Sequence, residues 1–296
     1  MNYITIRLDG GLGNQLFQIF SLIGIAKKNN YEYLIEREYK GDRKNYWNTI
    51  LHSLPNCNNF LEKIKETPSI LKENRFSEYM NIELDKNKHK NVFLEGYFQS
   101  FYYFEHIRDF VFETILKKQS KDLLEKVDTK YQELKTKYPN KQLIMIHCRK
   151  GDYNDKFHNN YYPILSNEYY DKALKHFNQD ECVFVIFSDE IETTKKDFEN
   201  LKGTNVPLKY KEFIKLEEDY IEFLLMTRLD GAIIANSTFS LWSAYLMDYH
   251  RMKKIVCPKY FFREWDIHRL DFFEKHWIFI ENTEVFRDVK VDPKRK

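Results

Sequence analysis

Three apolar runs in the second half of this 296-residue chain each end in polar residues able to do chemistry. Leu143 to Ile146 runs into His147-Cys-Arg-Lys-Gly-Asp152, Val183 to Phe187 into Ser188-Asp-Glu190, and Ile233 to Ala235 into Asn236-Ser-Thr-Phe-Ser240. Short apolar runs bounded by polar turns read as buried strands. In an open parallel sheet, ligands bind beyond the carboxyl ends of the strands. The three clusters are therefore expected to converge on one site, although roughly 40 to 50 residues separate neighbouring clusters in the chain.

Each cluster offers different chemistry. Arg149 and Lys150 are adjacent cations before Gly151 and suit a diphosphate, Arg149 as a two-pronged fork and Lys150 as a point charge. The competing reading is an ordinary surface pair, against which the position directly after a buried strand argues. Asn236, Ser237, Thr238, Phe239 and Ser240 precede a helix at Leu241–Tyr249. Their hydroxyls and the first free N–H groups face an anion placed there, or simply cap the helix. Asp189 and Glu190 accept hydrogen bonds from ribose hydroxyls or a guanine edge, or cap the helix that follows them.

A fourth cluster lies near the N-terminus, where Asp9-Gly-Gly-Leu-Gly-Asn-Gln15 joins a strand to a helix and its glycines allow close approach of backbone to ligand. With a strand ending at Glu36 about 20 residues on, the loop is partly like a dinucleotide fingerprint. Leu16 stands where the third glycine belongs, which weakens an oxidoreductase reading.

The elements that must position these clusters alternate. Strand character appears at 3–8, 31–35, 92–94, 142–147, 182–187, 232–235 and 254–257, and helical periodicity at 14–28, 167–177, 220–229 and 239–249. Such alternation predicts an α/β chain with mostly parallel sheets. The Lys- and Glu-rich helical segment 120–140 is the best interdomain connection. It divides the chain into two Rossmann-like domains, 1–140 and 141–296, with a cleft between them.

Composition narrows the function. With 47 basic and 45 acidic residues the net charge is only +2, so no nucleic-acid partner is indicated, and the basic C-terminal end reads as a frayed tail. Cys57, Cys148, Cys182 and Cys257 form no C-x-x-C pair, so they read as buried free thiols rather than zinc ligands or a disulfide framework. The chain enters a strand pattern at once, and no run approaches the ~18 apolar residues of a membrane span. A cytoplasmic protein is the expectation.

The motifs Gly10-Gly-Leu-Gly-Asn-Gln-Leu-Phe-Gln18, Glu95-Gly-Tyr-Phe-Gln-Ser100, His147-Cys-Arg-Lys-Gly-Asp-Tyr153, Phe187-Ser-Asp-Glu190 and Ile234-Ala-Asn-Ser-Thr-Phe-Ser240 together resemble the α1,2-fucosyltransferases, in that family's order and over residues 4 to about 262. The resemblance implies a GT-B type fold in which 141–296 binds GDP-fucose and 1–140 lies on the acceptor side. It also implies inversion at the fucose carbon, a galactose-type acceptor, no cofactor and no metal. The absence of an Asp-x-Asp element is consistent with metal-free departure of the diphosphate.

Position by position, the resemblance gives Arg149 and Lys150 the diphosphate, Ser237 to Ser240 phosphate or ribose, and Asp189 or Glu190 the nucleoside, with Asn236 also on the donor side. Gly10, Gly11, Gly13, Asn14 and Gln15 line the cleft from the other domain. Asp152 leads as general base, with His147, Asp155 and His158 as alternatives, and orienting Arg149 is an equal reading of Asp152. Two departures stand out: Lys150 and Glu190 occupy places where the family usually shows a second arginine and a second aspartate. A third is Leu241-Trp242, where the family has two tryptophans. Transfer to another hexose or N-acetylhexosamine, and a silent glycan or sugar-nucleotide binder, are the alternative functions.

Overall fold

The computed structural model describes residues 2–35, 44, 46–54, 64, 67–74, 78–154, 159, 161–199, 208–263 and 271–282. Glu36, Cys57, Asp155, His158, most of the segment 39–68 and the tail from Asp288 lie outside them. The chain divides into two compact units, Met1–Leu124 with His268–Glu274, and Glu125–Ile267 with Lys275–Lys296.

The first unit contains β1 (Tyr3–Ile6), α1 (Leu12–Asn29), β2 (Glu32–Ile35), β3 (Ser69–Lys72), β4 (Asn91–Glu95) and the short α2 (Arg108–Phe112). Its strands are parallel in the order β2-β1-β4-β3. Helix α1 is buried almost all round, as its dense apolar sequence requires. Lys27 and Lys28 in its last turn complement the helix dipole, and Asn30 ends it in the left-handed conformation at φ 56°. Phe17 stacks on Phe101 at 5.4 Å, and Phe17 and Phe20 both meet Phe104. This close packing needs Gly24, since a Cβ there would lie 2.1 Å from the Tyr103 carbonyl oxygen.

The second unit receives most of α3 (Lys121–Lys137) and continues through β5 (Gln142–Cys148), α4 (Asn167–Leu174), β6 (Cys182–Ser188), α5 (Ile191–Glu199) and β7 (Lys211–Ile214). It finishes with α6 (Asp219–Thr227), β8 (Gly231–Ile233), α7 (Thr238–Met247), β9 (Lys254–Pro258) and β10 (Ile278–Ile280). All six strands are parallel, in the order β10-β9-β8-β5-β6-β7. Ranked along this unit, that is the 3-2-1-4-5-6 order of a doubly wound nucleotide-binding sheet, read from the β7 edge.

Alternation along β5 sorts the core. Ile144, Ile146 and Cys148 join Tyr169, Tyr170, Phe184, Ile186 and Phe198 in one cluster, while His147 points to the opposite face and meets Phe239 of α7. Cys148, Cys182 and Cys257 are buried free thiols.

Three strands, β3, β7 and β10, are additional to those expected from sequence. All lie at sheet edges, where one neighbour suffices and polar residues blur the pattern: β3 reads Ser-Ile-Leu-Lys and β7 Lys-Glu-Phe-Ile. Replacing Gly24 by alanine would overpack the contact between α1 and Tyr103. The expected cost is about 1–3 kcal/mol, read as a lower urea midpoint.

Candidate active site

The strand order fixes where the polar clusters meet. β5 lies between β6 and β8, with His147 opposite Phe187, Cys148 opposite Ser188 and Ile146 opposite Ile233. The loops at Arg149, Asp189 and Asn236 thus leave the sheet side by side. The chain order reverses between β5 and β8, which is where open α/β sheets place their ligand crevice.

Arg149 sits in an acidic cradle. Its Nη2 donates to Asp152 Oδ1 at 2.6 Å, and its Nη1 lies 2.9 Å from Asp189 Oδ2. Asp189 Oδ1 accepts the Lys150 backbone N–H at 2.9 Å, so both oxygens of this carboxylate tie the β5 loop to the end of β6. Gly151 is required by the same contact, because a Cβ there would come within 2.4 Å of Asp189 Oδ2. Burial works against the Arg149 charge, but Asp189 and Asp152 outweigh it and hold the guanidinium above its ordinary pKa. Arg149 keeps about a quarter of its side chain exposed, 27%.

Lys150 does not lie alongside it. Its ammonium pairs with Asp197 on α5, and burial draws its pKa below the ordinary lysine value. In this structure Lys150 braces α5 against the β5 loop, while Arg149 presents charge at the strand end.

Tyr153, quoted in the sequence motif without a role, joins the first cluster to the third. The Arg149 guanidinium lies 5.4 Å from its ring centre, and its hydroxyl donates to the Asn236 carbonyl at 3.0 Å. Asn236 is fully buried and donates through Nδ2 to the carbonyls of Pro163 and Phe261 at 2.8 and 3.1 Å. It anchors the loop that feeds α7.

At the start of α7, Ser237 takes the extended cap conformation, φ −136° and ψ 129°, without a side-chain cap bond. Ser240 is turned inward, donating to the carbonyls of Ala235 and Ser237. Thr238 and Phe239 are half-buried in the first turn. In the other cluster the Ser188 Oγ accepts the N–H of Glu190, the residue just before α5, at 3.1 Å and the Thr194 hydroxyl at 2.9 Å. Asp189 is turned to the cradle, and Glu190 is exposed at the mouth of α5.

His147 is 5% exposed, and its ring centre lies 5.8 Å from that of Phe239. Burial, aided by the nearby Arg149 and Lys215 cations and opposed by Asp189, pushes its pKa down to about 4, so the imidazole is neutral and a weak base.

The N-terminal cluster is built within the first unit, at the reversal between β1 and β4. Gly10 has φ 78°, and a Cβ on it would strike Asn14 Nδ2 at 2.4 Å. Gly11 is the extended cap residue of α1, and Gly13 is buried inside the helix. Gln15 donates to the Gly10 carbonyl at 3.0 Å, Gln99 to Asn14 Oδ1 at 3.0 Å, and Tyr97 to Asp9 Oδ2 at 3.0 Å. Gln18 accepts the Asp9 N–H and donates to the Gly96 carbonyl, which locks the two strand ends together. Much of this polar set therefore shapes its own loop.

Among the described residues, no group of three or more His, Cys, Asp or Glu side chains is placed to hold a metal ion, and no helix is long and apolar enough to cross a membrane.

Two parallel α/β units, one holding Arg149 at the reversal of a doubly wound sheet, make up a fold of the GT-B type. The profile of Glycosyl transferase family 11 matches residues 1–281, and the chain belongs to that family. An alpha-1,2-colitosyltransferase of Escherichia coli is 25% identical over 95% of this chain and 100% of its own length. The O-antigen biosynthesis glycosyltransferase WbnK of the same organism is 26% identical over 86% of this chain and 93% of its length. Galactoside alpha-(1,2)-fucosyltransferase 1 of Alouatta belzebul is 23% identical over 82% of this chain and 64% of its own. The NodZ alpha-1,6-fucosyltransferase soaked with GDP-fucose shares the fold, with a TM-score of 0.52 at 12% identity over 83% of this chain and 93% of that one.

The neutral His147 has a measurable consequence. Between its folded pKa of about 4 and the ordinary 6.5, the unfolded chain takes up a proton that the folded chain refuses. The stability this imidazole contributes is complete above about pH 6.5 and is lost as pH falls towards 4. Between about pH 7.5 and 5 the loss is on the order of 2 kcal/mol. Urea midpoints across that range should fall less steeply in His147→Gln; parallel slopes would contradict a neutral buried ring.

Proposed function

We propose that this glycosyltransferase moves L-fucose from GDP-fucose to the 2-hydroxyl of a galactose-type acceptor, with inversion and without a required metal. The observation that carries this reading is the Arg149 cradle beside the start of α7, at the reversal of a nucleotide-ordered sheet. Membership of family 11 and the α1,2 linkage in the names of relatives spanning most of the chain support it.

In this mechanism the acceptor oxygen attacks the anomeric carbon from the face opposite GDP, the bond to the diphosphate oxygen breaks as positive charge grows on the sugar, and the acceptor hydroxyl's proton passes to a general base, for which Asp152 is the candidate. Departure of GDP needs most help, because two negative charges must be stabilised away from water. Arg149 supplies a fixed cation, and this reading assigns the first N–H groups of α7, around Ser237 to Ser240, to the same anion. Asp152 and Asp189 act as positioning residues, holding the guanidinium plane so that no reorganisation is needed during the reaction. Glu190, exposed just after β6, is the residue this reading assigns to a ribose hydroxyl. Gly10 to Gln15 shape the first unit's contribution to substrate binding. A cytoplasmic compartment fits the free thiols at Cys148, Cys182 and Cys257.

The E. coli relative named for colitosyl transfer, matched end to end, supports a second reading in which the donor carries colitose. The decisive assay is release of GDP from GDP-fucose and from GDP-colitose, with EDTA present, across β-galactosides, N-acetylhexosaminides and free sugars, with linkage assigned by NMR. Acceptor-dependent release from GDP-fucose giving an α1,2 product is expected. GDP binding without turnover on any pair would point to a silent binder. In the same assay Arg149→Ala should lose about 3 kcal/mol of transition-state stabilisation, roughly a hundredfold in kcat, with its circular dichroism unchanged. Full activity in that variant would remove Arg149 from the phosphate role.

A further inference from the structure

Lys215 lies at the same carboxyl edge as the cradle, on a strand the sequence did not reveal. Ile214, the last residue of β7, pairs with Phe187 of β6. Lys215 therefore leaves the sheet level with Ser188, one strand beyond Asp189 and Glu190. Its turn is fixed from behind by Glu222 of α6, whose side chain is only 6% exposed and whose Oε1 accepts the Leu216 N–H at 2.6 Å. The Lys215 ammonium stands 3.7 Å from the same oxygen, an ion-pair separation, and half of its side chain is open to solvent.

The direction in which this cation points follows from its surroundings. Lys150 turns to Asp197 on α5, on the face of the sheet where Phe198 packs. Lys215 instead pairs with α6, whose Phe223 packs edge-on against Phe239 of α7. Its charge also reaches His147, on that same face, where it helps keep the imidazole neutral. Lys215, His147 and Phe239 thus border one region above the ends of β5, β6 and β7.

In a sheet of this order a nucleotide has a fixed polarity. Its phosphates lie at the reversal and at helix N-termini, and its ribose meets the acidic residues ending the second-ranked strand. Here these are Arg149 with the start of α7, and Glu190 after β6. Continuing outward in the same direction, the base falls at the end of the third-ranked strand, β7. An ammonium there finds two acceptors on guanine, O6 and N7, whereas adenine presents a donor at N6 beside its N7.

We infer that Lys215 is a specificity residue that reads the O6/N7 edge of the purine and selects guanine over adenine in the nucleotide-sugar donor, an inference that rests on the nucleotide-donor reading proposed above. Neither Arg149 nor Lys150 can do this, the first being held at the phosphate end by two carboxylates and the second facing α5.

The test is calorimetric titration of the full chain with GDP, ADP, 7-deaza-GDP and pyrophosphate, for wild type, Lys215→Gln and Lys215→Met. Both variants should bind GDP about tenfold more weakly and ADP and pyrophosphate within twofold of wild type. 7-Deaza-GDP should be weakened in wild type and show a much smaller further loss in the variants. GDP affinity within twofold of wild type in both variants overturns the inference, as does an equal loss on GDP, ADP and pyrophosphate, which would report a general phosphate field or a distorted loop. Lys215 is half exposed, and an unchanged thermal midpoint in the methionine variant checks that the turn stays folded. Wild-type protein that binds none of the nucleotides would overturn the donor reading and this inference with it.

Discussion

The carboxylate of Asp189 is the constraint on which the basic centre depends. It stands at the end of β6 yet spends both oxygens on the loop that follows β5, one on the Lys150 backbone and one on Arg149. Two neighbouring strand ends are thereby fixed to each other just where the sheet stops supplying ladder hydrogen bonds. Removal of this carboxylate would leave a largely buried guanidinium with Asp152 as its remaining close acidic partner, and an incompletely paired charge in such a place is costly. The fit is steric as well as electrostatic, since Gly151 leaves room for Asp189 that no side chain could share.

From that pair the rest of the centre extends through short links. Asp152 closes the cradle on the far side, Tyr153 carries the contact to the Asn236 carbonyl, and buried Asn236 holds the turn into α7. The result is a cation and a helix start presented together on a rigid sheet edge, which suits catalysis by preorganised charge. His147 contributes differently. Neutral and packed on Phe239, it adds no positive charge to the strand from which the loop departs.

The departures from the usual family motifs acquire a structural context here. A lysine at 150 can reach past the loop to Asp197, where a flexible point charge serves better than a planar fork. At 190 the longer acid extends from an exposed position before α5, its own N–H bonded to the Ser188 hydroxyl oxygen. At Leu241-Trp242 both side chains are fully buried, with Trp242 edge-on against Tyr245, so that change concerns packing of α7.

The sequence by itself determined the alternating α/β plan, the interior strands and the polar clusters that follow them. Buried strands such as β5 and β6 are continuous apolar runs, and the chemistry begins where those runs stop. Edge strand β2 was legible because Leu34 and Ile35 are buried, whereas β3, β7 and β10 were not, because a strand with one neighbour can be short and polar. Only the tertiary structure decided which partner each polar residue takes. Local spacing left Asp189 suited to ribose, guanine or a cap; register with β5 turned it to Arg149. The same holds for Lys150, drawn to a residue 47 positions away, and for Lys215, a lysine like many others until β7 pairs with β6. Apolar burial is written in the period of a chain, but pairing between distant charges depends on strand order and register, which no single segment encodes.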